Sequence, residues 1–411
     1  MPIPIIAQGI QEGIGSIPYA WHVLRVAPWV LVLAALKYYF GGARNTSERL
    51  MHSKVVMITV WRHVRNRCNS RPKPGRPRRP SDPAHATTPS DIFLVEYIDD
   101  LRRTTGNNLI YAEQVDLASL HSIRTFATKW IDNAPPRRLD AVILCGGTAV
   151  PAHARKNTPD GIDEEWQINY LANFHLLSIL SPALRVQPAH RDVRVIFATC
   201  SSYIGAKVDL DTVTRGGSAK GAKKAKPDSK NIYALSKFAL MTFAHSFQRH
   251  LNAYARPDGL PPCTRVLVVD PGLSRTPGMR RWLTGGSLWG LLVYLLTWPL
   301  WWLVLKSPSQ GAQSVLHAAM EETYSRGEGG WLIKECREVD CARRDVKDED
   351  LGKRLWEFSE KQIEEAEKEG AVKRALEKKE KEAEKGKKSR KETSSAKAPA
   401  AGSRRSRKNK S

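Results

Sequence analysis

The sequence predicts an α/β protein, a doubly wound parallel sheet with helices on both faces, and three observations carry that prediction. Short apolar runs recur at Lys54–Thr59, Leu109–Leu117, Leu139–Leu144, Val193–Thr199 and Arg265–Asp270. They read as strands, most of them too continuous in apolar residues to have a solvated face. Amphipathic segments with helical spacing stand between them, as a parallel sheet requires. Three runs also end in small or polar residues, Gly146-Gly147, Ser201-Ser202 and Pro271-Gly272, so a ligand is expected at the carboxyl ends of the strands.

Residues 1–50 form an N-terminal segment whose apolar stretch, Val26–Phe40, is preceded by Arg25 and interrupted by Lys37. It is short for a span of about 20 residues and suits an interfacial or tilted helix. The first strand, Lys54–Thr59, leads into Val60–Pro80, a basic stretch in which Pro72, Pro74, Pro77 and Pro80 bar a second strand. Leu109–Asp116 reads as a strand ending in an acid, and Leu139–Leu144 as a buried strand running into Gly146 and Gly147. Asn169 falls in the helical segment Trp166–Tyr170. After Ser202 comes a basic loop, Gly216–Lys226, with no strand leading into it and therefore no phosphate-binding geometry. Tyr233 and Lys237 follow in a helical segment, then Arg265–Asp270 and Pro271-Gly272.

Gly285–Leu305 carries no charge and four tryptophans, between Arg280-Arg281 and Lys306. A full crossing would strand the segments after it on the far side of the bilayer from their sheet. A re-entrant or monotopic insertion bent at Pro299 is the reading, against a buried core helix. From Lys347 to about Lys385 a charged helix is expected, with Leu351, Leu355, Trp356 and Phe358 as its apolar patch. The composition beyond Gly386 predicts disorder, so residues 346–411 form a charged helix and tail beside a domain of residues 51–345.

Tyr233 and Lys237 are four apart, hence on one face of a helix. A phenol with a pKa of about 10 exchanges protons poorly near neutrality, but a fixed cation favours its phenolate and makes it a general acid or base. The series Gly146-Gly147, Asn169, Ser202, Tyr233, Lys237, Pro271-Gly272 resembles the short-chain dehydrogenase/reductase family over roughly residues 54–345. Ser307–Ser314 and Gly329–Cys336 are similar to the last helix and strand of its membrane-associated, retinol-dehydrogenase-like branch, which includes fungal lipid-droplet and vacuolar members. The resemblance implies a Rossmann-like fold and a catalytic tetrad of Asn169, Ser202, Tyr233 and Lys237. Ser202 is preferred over Ser201 because Gly205 follows three residues later. It further implies that Ser202 holds the carbonyl or hydroxyl and Tyr233 moves the proton. Lys237 lowers the tyrosine pKa and grips the nicotinamide ribose, while Asn169 anchors a relay water. Gly146 and Gly147 would line the cofactor, Asp116 would touch the adenine, and Pro271, Gly272 and Thr276 would close over the nicotinamide.

The sequence departs from the family where the glycine-rich pyrophosphate turn should follow the first strand, since no G-x-x-x-G-x-G stands there. Written as codons with arginine as CGN and read one nucleotide later, Trp61 onward permits Gly-Ala-Thr-Ser-Gly-Ile-Gly. Further on the same frame permits Val-Val-Leu-Leu-Thr-Arg, which suits the missing second strand. Residues 60–90 therefore read as an out-of-frame or mis-spliced stretch, with a divergent insertion as the other reading. The shifted-frame arginine would meet an extra phosphate, which favours NADP(H) over NAD(H).

The net charge is +23, yet residues 61–80 hold eight Lys/Arg and no acid, and residues 371–411 hold sixteen Lys/Arg against five acids. Those two stretches account for 19 of the 23 charges, so the remainder is nearly neutral and nucleic acid is not an expected partner. Six cysteines show neither a disulfide framework nor zinc spacing, which suits a reducing cytosolic face. Cys200 and His175 read as packed residues. The expected function is hydride transfer on a lipophilic alcohol, aldehyde or ketone, at an endoplasmic reticulum, lipid-droplet or vacuole membrane. The resemblance also raises a homodimer through the Tyr233 helix. The alternative is a catalytically impaired relative acting as a membrane-associated protein.

Overall fold

The computed structural model describes residues 20–59, 92–134, 137–150, 156–213 and 229–395. Six strands form one sheet: β1 (Val56–Thr59), β2 (Ala141–Leu144), β3 (Val193–Ala198), β4 (Thr264–Asp270), β5 (Trp331–Lys334) and β6 (Arg337–Val339). They lie side by side in chain order, β1 to β5 parallel and β6 antiparallel to β5. The β5–β6 turn is Glu335-Cys336, both at positive φ, as a two-residue hairpin turn with the matching twist demands.

Alternate residues of the strands feed two cores. Val142, Leu144, Val195, Phe197, Val266 and Val268 pack into a large cluster with α4 (Ala172–Arg185) and α5 (Ser229–Asn252). Ile143, Ile196, Leu267, Val269 and Ile333 face Ala318 and Ala319 of α9 (Pro308–Met320) on the other side. The α/β layering read from the sequence is therefore present, with helices on both faces.

The expected strand at Leu109–Asp116 does not form. Leu109 and Tyr111 are exposed and the stretch is irregular, between α2 (Ile92–Thr105) and α3 (Leu120–Ile131). A strand needs a partner for its backbone groups, and none of the described residues pairs with the outer edge of β1. The basic, proline-rich stretch at 60–90 and the loop at Gly216–Lys226 lie outside the described residues.

The two apolar segments meet. The N-terminal helix α1 (Ala20–Gly41) is longer than Val26–Phe40, and within it Leu24–Gly41 is, by length and composition, the one span-length apolar helix among the described residues. Gly285–Leu305 folds as two short helices, α7 (Leu288–Leu296) and α8 (Trp298–Val304), preceded by α6 (Pro277–Thr284). Ser287 caps α7 by accepting from the Gly290 amide, and Pro299 opens α8, where its missing N–H costs nothing. The core-helix reading fails here, because Leu288 and Trp289 are 86% and 78% exposed.

The charged helix α10 (Glu349–Ser395) runs ten residues beyond the predicted end at Lys385. Its first half packs on α5 and α3. Leu355, Ile363 and Ala366 join the main core, so this part of the helix belongs to the domain. Residues 396–411 lie outside the described residues.

Candidate active site

The carboxyl ends of β2 and β3 and the first turns of α5 bring most of the predicted residues together. Asn169 occupies the middle of a π-helical turn, Gln167–Leu171, just before α4. A π-turn adds one residue to the helix and is common at functional sites. Here it aims the fully buried Asn169 amide at the strand ends. Asn169 Oδ1 accepts from the Thr148 amide at 2.7 Å, and Nδ2 donates to Thr148 O at 2.9 Å and Ser236 Oγ at 3.1 Å. Its own carbonyl accepts from Asn173 Nδ2 at 2.9 Å.

Gly147 stands between the elements. A Cβ there would come within 3.2 Å of Asn169 Oδ1 and 3.5 Å of Lys237 Nζ, so the position keeps the amide and the ammonium open to one space. Lys237 is buried and donates to Ala198 O at 3.3 Å. Burial lowers its pKa, partly opposed by the nearby Cys200 and Cys145 thiols.

Tyr233 and Ser202 converge on one sulfur. Cys200 Sγ lies 2.8 Å from Ser202 Oγ and 3.4 Å from the Tyr233 hydroxyl. The packed-residue reading of Cys200 is thus too plain, since the half-buried thiol links the two hydroxyls predicted to do the chemistry. Its place directly before the serine pair was the available signal. Ser201 turns away, donating to Asp270 Oδ2 at 2.6 Å and accepting from Lys334 Nζ at 3.3 Å.

Burial raises the Tyr233 pKa well above the ordinary tyrosine value, and Cys200, Glu165 and Asp270 add to the rise. Lys237 gives its hydrogen bond to a backbone carbonyl on β3.

The other predicted residues have structural partners. Asp116 makes an Asx turn into α3, accepting from the Ala118 amide, while its own amide donates to Ser122 Oγ. Gly146 is buried directly after β2. Pro271 and Gly272 follow β4, and Gly272, at φ +72°, donates its amide to Asp270 Oδ1. An added Cβ at Gly272 would lie 3.1 Å from Lys306 Nζ. Thr276 caps α6 by accepting from the Met279 amide. His175 is buried, its Nε2 3.3 Å from a Glu367 carboxylate oxygen on α10. A separate cavity of about 400 Å³, lined by Glu328, Trp331, Glu338, Asp340 and Lys347 among others, includes none of the tetrad.

No family model matches the chain. An uncharacterized oxidoreductase of Schizosaccharomyces pombe is 36% identical over 386 residues, covering 92% of this chain and 100% of that protein. An uncharacterized oxidoreductase of Saccharomyces cerevisiae is 33% identical over 398 residues, covering 92% of this chain and 96% of the other. Retinol dehydrogenase 13 of Mus musculus is 28% identical over 262 residues, with 62% of this chain and 69% of the relative covered.

Proposed function

The chain belongs to the short-chain dehydrogenase/reductase family of oxidoreductases, and from that premise we propose that it transfers hydride between NADP(H), or NAD(H), and a lipophilic alcohol, aldehyde or ketone on a membrane or lipid-droplet surface. The convergence of Ser202 and Tyr233 on Cys200, with Lys237 one turn along the same helix face as Tyr233, carries this reading.

The residues present fit a nicotinamide dinucleotide at one end only. At the nicotinamide end, Gly147 leaves a space a Cβ would fill, and Thr199 Oγ1 is buried without a partner among the described residues. At the pyrophosphate end, the sequence after Thr59 lacks the glycine turn. The dinucleotide, when bound, would supply or accept the hydride. Gly146, Gly147 and Lys237 would hold its nicotinamide half, with Pro271, Gly272 and Thr276 closing over the nicotinamide and Asp116 toward the adenine.

The chain's own residues account for the proton. Ser202 donates to the substrate oxygen and orients it. Tyr233 would give its phenolic proton to the oxygen when a carbonyl is reduced and take it back when an alcohol is oxidised. Asn169 fixes the Thr148 backbone beside Lys237. The apolar hairpin α7–α8 begins 17 residues after Pro271 and would pass an apolar substrate from lipid to the site.

A second reading, a catalytically impaired relative, rests on the missing glycine turn. Losing two amide–phosphate bonds at about 1.5 kcal/mol or more each weakens dinucleotide binding on the order of a hundredfold. Fluorescence titration with NADPH and NADH separates the two. The comparison is between this chain and a version carrying the shifted-frame translation at residues 60–90. Binding by the restored chain alone establishes the impaired reading for this sequence. Binding by neither chain refutes the oxidoreductase reading of the site.

A further inference from the structure

The apolar helix α1 and the hairpin α7–α8 are joined by a lysine. Lys37 Nζ donates to the carbonyls of Trp302 and, at 3.4 Å, Leu305, which end α8, and lies 4.9 Å from the centre of the Trp302 ring. The two elements thus form one apolar surface, exposing Trp29, Leu31 and Leu33 on α1 and Trp289, Leu292 and Leu296 on α7. At nine residues α7 is about 13 Å long, less than half of a hydrocarbon core of about 30 Å.

The base of this face is cationic. Arg275 stacks on Trp298 at 5.5 Å, and its Nε is buried with no hydrogen-bond partner among the described residues. It stands near enough to Lys37 for the two charges to repel. No Asp or Glu occurs in residues 20–47 or 271–320. The carboxylate that reaches this base, Glu335, is already engaged by Lys306 and the Ala43 amide. Two like charges beside an apolar face, one with an unmet donor, call for an anion held at the level of that face.

We propose that α1 and the α7–α8 hairpin dock together on a lipid surface bearing anionic headgroups, with Lys37 and Arg275 receiving the net negative charge of such a headgroup. A second copy of this chain is the poorer occupant, because it would set the same cations against each other. The proposal deepens the membrane-associated reading and rests on it for location, not on the redox chemistry.

The test uses the full chain and vesicles of phosphatidylcholine, with or without 30% phosphatidylserine, carrying brominated acyl chains that quench inserted tryptophan. The basic tail beyond residue 371 holds no tryptophan, so its binding gives sedimentation without quenching. The expected result is quenching that is stronger with phosphatidylserine, a preference reduced about fivefold by Arg275→Gln and restored by Arg275→Lys. Leu292→Glu abolishes quenching in both vesicle types. Equal quenching of the unaltered chain with neutral and anionic vesicles refutes the headgroup proposal and leaves membrane association standing. Absence of quenching in both overturns membrane docking altogether. Inorganic phosphate at millimolar concentration removing the phosphatidylserine preference would assign the site to free phosphate instead of lipid.

Discussion

Replacing Gln362 by leucine tests whether α10 is part of the catalytic domain. Gln362 is buried and serves two groups that water does not reach. Its Oε1 accepts from Trp166 Nε1 at 2.9 Å and its Nε2 donates to Val213 O at 2.9 Å, with Trp166 fully buried. Leucine keeps the volume and removes both bonds, leaving one donor and one acceptor unmet at about 1–3 kcal/mol each. The gain from the extra apolar surface offsets part of that, so a net loss of roughly 2–4 kcal/mol is expected. For a domain of this size about 2 °C accompanies each kcal/mol, giving a Tm lower by roughly 4–8 °C. Differential scanning calorimetry measures it. Lys368→Ala on the exposed face of the same helix is the control, since it removes only a surface pair with Glu364 and costs about 0.5 kcal/mol or less.

The consequence extends to the site. Trp166 directly precedes the π-turn that aims Asn169, and Tyr170 within that turn lies 2.7 Å from Ser359 Oγ on α10. Loosening α10 should therefore perturb Asn169 as well as stability. A Tm for Gln362→Leu within 1 °C of the unaltered chain would show that the helix is not docked and refute the reasoning.

The remaining predictions concern pH, chemistry and a turn. His245 is held at a pKa of about 4, chiefly by burial and then by Lys347 and Arg249, against an ordinary value near 6.5. A base with a depressed pKa contributes its full stability above the unfolded value, and the unfolded chain binds more protons below it. Stability should fall by roughly 3 kcal/mol between pH 6.5 and pH 4, a slope that urea titrations should find flattened in His245→Gln. Tyr233→Phe should lower turnover of a lipophilic aldehyde by roughly 10²–10⁴ with dinucleotide binding intact. Unchanged turnover in a chain that binds dinucleotide would remove Tyr233 from the mechanism. Gly329 sits at φ +80°, and a Cβ there would lie 2.0 Å from Gln248 Oε1, which accepts from the Val266 amide on β4. Gly329→Ala should cost on the order of 1–3 kcal/mol by chemical denaturation, and a neutral substitution would mean that the turn is not formed this way.

The features legible in the sequence were the local ones. Strands Ala141–Leu144, Val193–Ala198 and Thr264–Asp270 are built on apolar runs, and the small residues that follow them announced a site. Tyr233 and Lys237 were findable because a helix fixes what residues four apart share. Long-range partners were not legible. Nothing near Cys200 in the chain says that a tyrosine 33 residues on will face its sulfur, and nothing in a charged helix says that Gln362 meets Trp166. Leu109–Asp116 misled because it carries strand residues, whereas strand formation depends on a neighbour that lies elsewhere in the chain.

The proposed proton-transfer groups and the proposed dinucleotide-holding groups depend on different parts of the sheet. The groups assigned to the proton, Ser202, Tyr233 and Lys237, depend on β3 and α5, which are paired and packed on both faces. The groups that would hold the pyrophosphate and adenine depend on the segment of chain after β1. That strand has no described neighbour on its outer edge, Ile58 on it is exposed, and Thr59 Oγ1 at its end is buried without a partner among the described residues. In doubly wound sheets the ligand crevice opens where the strand order reverses, and among the described strands the order runs from β1 to β6 without reversal. On the shifted-frame reading, the missing glycine turn, the unformed strand at Leu109–Asp116 and the lack of a described neighbour beside β1 have one cause. Restoring the shifted frame at residues 60–90 would supply the turn and a strand for that edge together. Circular dichroism of the restored chain should then show added strand content alongside restored dinucleotide binding. Recovery of binding without added strand would separate the turn from the sheet and break this account.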